Sequence, residues 1–171
     1  MLPENGKIYQ APEKKYRETV VLVPYYGAHA NALKRHVEFL NDLGYDCVTL
    51  KLKDDVREMP QHLISSVRQF GLKHIWSDQI ENILNALPGN KILFGFSNPS
   101  ASALEVIARR RGGDITGVVC DGGPSSQLWH SMINYFTFEK RIPFYPLRVS
   151  MASLFTMLWH PRFLKVIQED L

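Results

Sequence analysis

The stretch KILFGFSNPSASAL, residues 91–104, joins an apolar run to a helix-forming run through Gly95, Ser97 and Pro99. The apolar run predicts a buried strand, and the residues from Pro99 to Arg111 predict a helix. A strand that turns sharply into a helix lifts one side chain out of the backbone at the carboxyl edge of a sheet. The stretch therefore predicts that Ser97 occupies such a turn, with Gly95 as the small neighbour that the turn requires.

Strands and helices alternate on both sides of this stretch. Strand-like runs lie at 19–25, 46–52 and 115–120, and helical patterns at 30–43 and 77–87. Repeated strand–helix–strand units predict a parallel sheet with right-handed crossovers. We expect an α/β protein, a three-layer α/β/α arrangement with a mostly parallel sheet.

Three local assignments accompany this prediction. The first 18 residues are interpreted as a polar leader, and a short helix is predicted around His62 to Phe70 within a polar connection. Ser77 is predicted to be the N-cap of the helix 77–87. The basic run Arg109, Arg110 and Arg111 is interpreted as the last turn of a helix, where cations are favourable.

Composition excludes several classes of protein. The chain has 171 residues, is 45% hydrophobic and carries a net charge of +3 from 20 basic and 17 acidic side chains. This balance argues against a nucleic-acid partner. No apolar stretch reaches the ~20 residues that span a bilayer, so no transmembrane segment is expected.

Cysteine and histidine usage points to a cytoplasmic protein without metal or cofactor. Cys47 and Cys120 lie in apolar strand-like runs, where a thiol behaves as a small hydrophobe, so no disulfide framework is expected. The six histidines are scattered, which predicts no metal site. The absence of a Gly-x-Gly-x-x-Gly or Walker pattern argues against a nucleotide cofactor.

The predicted turn at Ser97 suggests nucleophilic chemistry. The helix that follows would aim its N-terminal end at Ser97, so the Asn98 amide could face an oxyanion. A second donor is expected from the loop PYYGAH, residues 24–29, with the Ala28 amide as the candidate. Asp121 follows a strand at the same sheet edge; it is either a catalytic acid or the cap of the turn GGPSS.

From residue 19 to 171, the order of elements resembles the α/β-hydrolase family. The oxyanion turn PYYGAH, the elbow ILFGFS and the strand GVVCDGG occur in that family's order. Two features depart from the family: Pro99 replaces the second glycine of Gly-x-Ser-x-Gly, and Tyr25 and Tyr26 precede the turn glycine. The tyrosines are interpreted as core or substrate-wall residues.

The resemblance implies a serine hydrolase that cleaves a carboxylic ester, thioester or amide of a small acyl or aryl substrate. It implies a partial hydrolase core at 1–125 and a helical cap at 126–171. The acid and the general base are expected beyond Leu171, so the chain alone is expected to be incomplete or inactive. His130 and His160 lie in helix-like aromatic surroundings, whereas His29 lies closer to the predicted oxyanion turn.

Two other functions stay open. One is a noncatalytic binding module with this fold, suggested by Pro99 and the two tyrosines. The other is a different doubly wound protein, for example one that binds a nucleotide or phosphate at the Asn98 helix end. The strand 115–120 is apolar on both faces, so we also expect an unprotected sheet edge through which the chain could self-associate.

Overall fold

The computed structural model describes residues 2–28, 31–52, 70–111, 113–123, 126–159 and 162. They fall into two compact units. The first unit contains the described residues of 1–57 and 76–124, and the second contains those of 58–75 and 125–171. The predicted boundary between 125 and 126 stays a prediction.

A five-stranded sheet forms the centre of the first unit. Its strand order is β1-β3-β2-β4-β5, with β1 antiparallel to β3 and the other neighbours parallel. The strands are β1 (Gly6–Tyr9), β2 (Thr19–Val23), β3 (Asp46–Leu50), β4 (Lys91–Phe96) and β5 (Ile115–Asp121). A mostly parallel sheet with helices confirms the predicted α/β class.

The described helices follow the strands in the predicted order. They are α1 (Lys34–Leu43), α2 (Leu72–Ala86), α3 (Ser100–Arg110), α4 (Leu128–Asn134) and α5 (Tyr145–Trp159). On one face of the sheet, Leu33, which precedes α1, and Val37 of α1 form a core cluster. Their partners in the sheet are Val20, Leu22 and Cys47. On the other face, a side chain at Gly6 in β1 would meet Ile83 of α2. Helices therefore cover both faces.

The central strands are buried because their residues are β-branched or large and apolar. Val20 to Val23 of β2 are almost completely inaccessible to solvent. Such a strand suits a position covered on both faces of a parallel sheet. The predicted stop of α1 is confirmed: Gly44 adopts a left-handed φ of 101° there, which glycine allows without steric cost.

Two local predictions are wrong. The polar leader contains β1, a four-residue edge strand whose short alternating pattern gives little hydrophobic signal. Helix α2 begins at Leu72, five residues before the predicted cap Ser77, because Leu72 and Trp76 extend its buried face. Ser77 therefore lies within α2 and not at its start, and its buried hydroxyl donates to the Ser102 carbonyl at 3.2 Å. The helix predicted around His62 to Phe70 lies outside the described residues, apart from Phe70 itself.

The second unit is helical where it is described beyond residue 125. A π-helical turn, Tyr135–Glu139, follows α4 directly. The Trp129 indole donates to the Ser153 hydroxyl at 3.1 Å and links α4 to α5. Across the described part of the chain, no helix combines the length and the apolar character needed to cross a bilayer.

Candidate active site

Ser97 occupies a strained turn between β4 and α3. Its φ of 56° lies in the left-handed region, which costs a residue with a side chain on the order of 1–3 kcal/mol. The Ser97 amide donates to the Asp121 carbonyl at 2.8 Å, and the Ser97 carbonyl accepts from the Ser100 amide at 3.1 Å. Neighbouring strand and helix therefore hold the strained backbone in place, as a nucleophile elbow requires.

Two glycines make room for this turn. A Cβ at Gly95 would lie 3.0 Å from the Cα and Oγ atoms of Ser100. A Cβ at Gly123 would lie 2.2 Å from the carbonyl oxygen of Ser97 and 2.4 Å from its carbonyl carbon. Sequence reasoning identified Gly95 and missed Gly123. The signal was the Gly122-Gly123 pair directly after the strand that neighbours the elbow.

Pro99 starts helix α3 without disturbing it. Its φ of −56° is helical, its side chain is buried, and its carbonyl accepts from the amides of Ser102 and Ala103. A proline has no N–H, and at the first turn of a helix that N–H would have no intrahelical partner. The departure from the family pattern is therefore compatible with the elbow geometry.

Asn98 and Asp121 lie at the same sheet edge as Ser97. Asn98 follows Ser97 directly at the start of α3 and is half-buried. Asp121 ends β5 and is the cross-strand partner of Phe96, the residue before Ser97. The structure thus brings the three predicted residues together. Their roles, as oxyanion donor for Asn98 and as acid or turn cap for Asp121, stay predictions.

The fourth predicted residue, Ala28, lies in a tight turn after β2. This turn leaves the same edge as the elbow, because Val23 at the end of β2 pairs with Gly95 of β4. The Ala28 amide donates to the Tyr25 carbonyl at 3.1 Å, and Gly27 has a φ of 73°. In this conformation the Ala28 amide donates its hydrogen bond to a carbonyl of its own turn.

The two tyrosines of this turn are not core residues. Tyr25 and Tyr26 are both exposed, and the ring of Tyr26 lies 5.8 Å from that of Trp76. Of the two sequence interpretations, the core interpretation is therefore wrong, because the turn projects beyond the end of the buried strand. The substrate-wall interpretation stays a prediction.

A cleft opens beside the turn that contains Ala28. Its volume is about 550 Å³, and its lining includes Gly27 and Ala28 together with Lys7, Thr49 and Lys51 from the β1–β3 side of the sheet. Small-molecule sites commonly measure ~300–1,000 Å³. Ser97 is not among the described lining residues, so the cleft borders the predicted oxyanion turn and not the serine.

Two of the described histidines, His36 and His130, pack against aromatic rings. His36 lies on α1, where its ring packs edge-on against Phe96 at 4.7 Å. The ring of His130 meets Trp129 at 5.4 Å, in the aromatic surroundings predicted from the sequence. His29 and His160 lie outside the described residues. Within the described ranges, no group of three or more metal-ligating side chains comes together.

The two cysteines differ in environment. Cys47 is fully buried in β3, and burial, together with the neighbouring Asp46 carboxylate, raises its pKa to about 12. Cys120 is exposed on β5. The interpretation as a buried small hydrophobe is therefore right for Cys47 and wrong for Cys120, because β5 lies at the edge of the sheet.

Comparisons with known proteins give similarity at the level of structure. No family model matches the chain, and no curated protein sequence matches it. An esterase from Exiguobacterium antarcticum matches 96% of this chain and 67% of its own length, with 12% identity and a TM-score of 0.54. A bromoperoxidase from Bacillus anthracis matches 96% of this chain and 63% of its own length, with 14% identity and a TM-score of 0.55.

A third solved structure gives the same result. The hydrolase olei00960 from Oleispira antarctica matches 97% of this chain and 68% of its own length, with 15% identity and a TM-score of 0.53. All three are members of the α/β-hydrolase fold. The chain therefore has the α/β-hydrolase fold, as its sequence predicts, and spans about two thirds of the length of these structures.

Proposed function

We propose that this chain is part of a serine hydrolase whose nucleophile is Ser97. The reaction is attack of the Ser97 hydroxyl on the carbonyl of a carboxylic ester, thioester or amide, which forms an acyl-enzyme and releases the alcohol, thiol or amine. The substrate is a small molecule with an acyl or aryl group. The structural neighbours, an esterase and a hydrolase among them, support a hydrolase-like function.

The observation that carries the proposal is the positive φ of Ser97. Non-glycine residues in the left-handed region are uncommon, and strained backbone clusters at functional sites. The described chain holds Ser97 at 56° between a buried strand and a helix, against a glycine that leaves no space for a side chain. This conformation is costly, and a serine that only packed in the core would not need it.

The proposed oxyanion site combines two backbone amides. Asn98 follows the nucleophile at the helix start, where the partial positive charge of the helix end favours a developing negative charge. Ala28 supplies the second amide from the turn after β2. Because the Ala28 amide donates to the Tyr25 carbonyl here, this role requires the oxyanion to compete with that carbonyl. Asp121 is proposed as the acid that supports a histidine base.

Labelling with a fluorophosphonate probe tests the nucleophile. The probe forms a covalent bond with an activated serine hydroxyl, so we expect labelling of Ser97 in the longest natural form of the protein. Ser97→Ala should abolish the labelling. Ser126→Ala is the matched control, because Ser126 is exposed and removing its hydroxyl should leave the labelling unchanged. Labelling that persists in Ser97→Ala contradicts the proposal.

A noncatalytic binding module with the same fold is the second candidate. The hydrogen bond from the Ala28 amide to Tyr25 favours it, since a working oxyanion hole needs donors aimed at the substrate. For a binding module, Ser97→Ala would leave ligand affinity unchanged and no hydrolysis would be detected before or after the substitution.

We place the protein in the cytoplasm, on the evidence of its cysteine usage. We propose no nucleic-acid partner, because the charge of the chain is balanced. Finally, we propose that the exposed strand β5 allows the chain to self-associate.

A further inference from the structure

The segment 138–147, FEKRIPFYPL, presents four large apolar side chains to solvent within ten residues. Phe138 is 72% exposed, Phe144 64%, Tyr145 58% and Leu147 47%. Large exposed apolar patches on a folded protein mark an interaction surface. The proposed hydrolase chemistry at Ser97 does not use this segment. We call it the aromatic loop; it comprises the end of the π-helical turn, the connection 140–144 and the first turn of α5.

The aromatic loop is held in one conformation by Arg148. The Arg148 guanidinium donates to the Thr137 hydroxyl at 2.9 Å and to the Pro143 carbonyl at 3.1 Å, which fixes the residues just before Phe138 and Phe144. The Ile142 amide donates to the Phe136 carbonyl at 3.0 Å. A surface that is ordered before binding loses less conformational entropy when a partner docks.

The backbone at the tip of the aromatic loop is strained. Arg141 has a φ of 50°, in the left-handed region that favours glycine and asparagine. Its neighbour Ile142 turns partly inward, whereas the aromatic residues on both sides stay outside. The loop therefore keeps a costly conformation in which its largest apolar groups are exposed.

The charge of the segment selects the partner. Lys140 and Arg141 are exposed beside Glu139, and together with Arg148, whose guanidinium is engaged within the segment, they give the region 138–148 a net charge of +2. We propose that the aromatic loop docks the protein on the surface of an anionic lipid bilayer. The aromatic rings enter the boundary between headgroups and acyl chains, and the basic side chains meet the anionic headgroups.

This docking is peripheral and does not depend on the reaction at Ser97. The ring of Tyr145 suits the interface of a bilayer because one end is apolar and the other polar, and Phe138 and Phe144 add apolar area that can be buried there. The long stems of Lys140 and Arg141 can lie along the apolar zone while their charges stay among the headgroups. A folded protein that presents both groups on one fixed surface segment can bind without a membrane-spanning helix.

Co-sedimentation with vesicles tests the electrostatic part. We expect the full chain to bind mixed phosphatidylcholine–phosphatidylserine vesicles, to bind phosphatidylcholine vesicles weakly, and to dissociate as salt is added. The double variant Lys140→Gln with Arg141→Asn should bind the mixed vesicles about 25-fold more weakly, since each basic residue contributes about fivefold. The matched control Lys34→Gln with Arg35→Gln removes two exposed charges from α1 and should bind normally.

A second pair of variants tests the apolar part. Phe138→Ser with Phe144→Ser should lose most of the vesicle binding, whereas Phe39→Ser should keep it, although Phe39 on α1 is 62% exposed. Circular dichroism checks that each variant is folded, and light scattering measures its oligomeric state. Three results would each overturn the proposal: no vesicle binding, equal binding to both vesicle types, or a loop variant that only changes oligomerisation.

Discussion

At the scale of single residues, the conformation of Ser97 depends on its neighbours more than on its own sequence context. A lone Gly-x-Ser occurs in many proteins and defines no turn. Here the Asp121 carbonyl holds the Ser97 amide, and the empty space above Gly123 accommodates the Ser97 carbonyl. The strained conformation of Ser97 persists only because these contacts with the surrounding backbone hold it in place.

Gly123→Ala tests whether that space is required. The new methyl group would meet the Ser97 carbonyl oxygen at 2.2 Å, so the elbow must shift. Because a displacement of about 1 Å can cost on the order of a hundredfold in rate, we expect fluorophosphonate labelling of Ser97 to slow by about that factor. The rate of labelling is measured in the longest natural form of the protein.

Gly122→Ala is the control for this experiment. Gly122 has a left-handed φ of 65°, but a Cβ there would meet nothing within 4 Å. Its substitution therefore carries the conformational cost of alanine without the clash. If Gly122→Ala slowed labelling as much as Gly123→Ala, the packing of Gly123 against Ser97 would not be what holds the nucleophile.

At the scale of elements, ion pairs join helices to strands at the end of the sheet where β4 and β5 begin, opposite the turn at Ser97. The buried Lys91 of β4 pairs with Asp114, just before β5, and Arg110 of α3 pairs with the same carboxylate at 2.8 Å. Arg109 joins Asp78 of α2 at 2.6 Å. Arg109 and Arg110 thus lie in the last turn of α3, as predicted, and their cations serve structure, whereas Arg111 is the left-handed C-cap of that helix.

Asp114 should make stability depend on pH. Partial burial alone would raise the Asp114 pKa, but hydrogen bonds from Lys91 and Arg110 outweigh it and hold the pKa at about 2. A carboxyl with a depressed pKa stabilises the fold above its unfolded value of about 4 and loses that contribution as pH falls toward 2. We expect Asp114→Asn to reduce the free energy of unfolding by about 2 kcal/mol at pH 7.

Urea unfolding at several pH values measures this effect. The difference between the native chain and Asp114→Asn should shrink as pH falls from about 4 to 2, since protonation removes the same charge. Asp42→Asn is the matched control, because Asp42 is exposed in the last turn of α1 and should change stability little. A difference that stays constant down to pH 2 would show that the pair does not act through charge.

The elements also show which parts of the fold were predictable. Strands β2 and β4 carry continuous apolar runs, and a left-handed Gly44 ends α1, so local sequence determines them. β1 was missed because its pairing with β3 joins residues about 40 positions apart, and its own pattern is short and polar. Ser77 was misassigned because tertiary burial extended the helix past a residue that favours caps.

In the candidate site too, some features could be predicted from local sequence and others depend on tertiary contacts. Ser97, Asn98 and Asp121 were placed at one sheet edge by the logic of parallel strands, in which carboxyl ends meet. Gly123 was missed because its contact with Ser97 exists only after β4 and β5 have paired. The hydrogen bond of Ala28 to Tyr25 also depends on the exact turn, which a sequence of tyrosines and a glycine does not specify.

At the scale of the whole molecule, the two edges of the sheet differ in protection. β1 is four residues long and carries Lys7, and short charged edges resist pairing. β5 is seven residues long and exposes Val118 and Val119 on opposite faces. Among the described strands, none pairs with its outer side. Two copies of β5 related by a two-fold axis would pair antiparallel and extend both sheets into one.

We therefore expect the chain to form a dimer whose population rises with concentration, measured by size-exclusion chromatography with light scattering. Val119→Lys should yield a monomer, because a charge on an edge strand opposes pairing. Phe39→Lys places the same charge at another exposed apolar position and should leave the dimer intact. Val119→Lys changes no residue of the aromatic loop and should also keep vesicle binding. A chain that is monomeric at every concentration would show that the β5 edge does not mediate self-association.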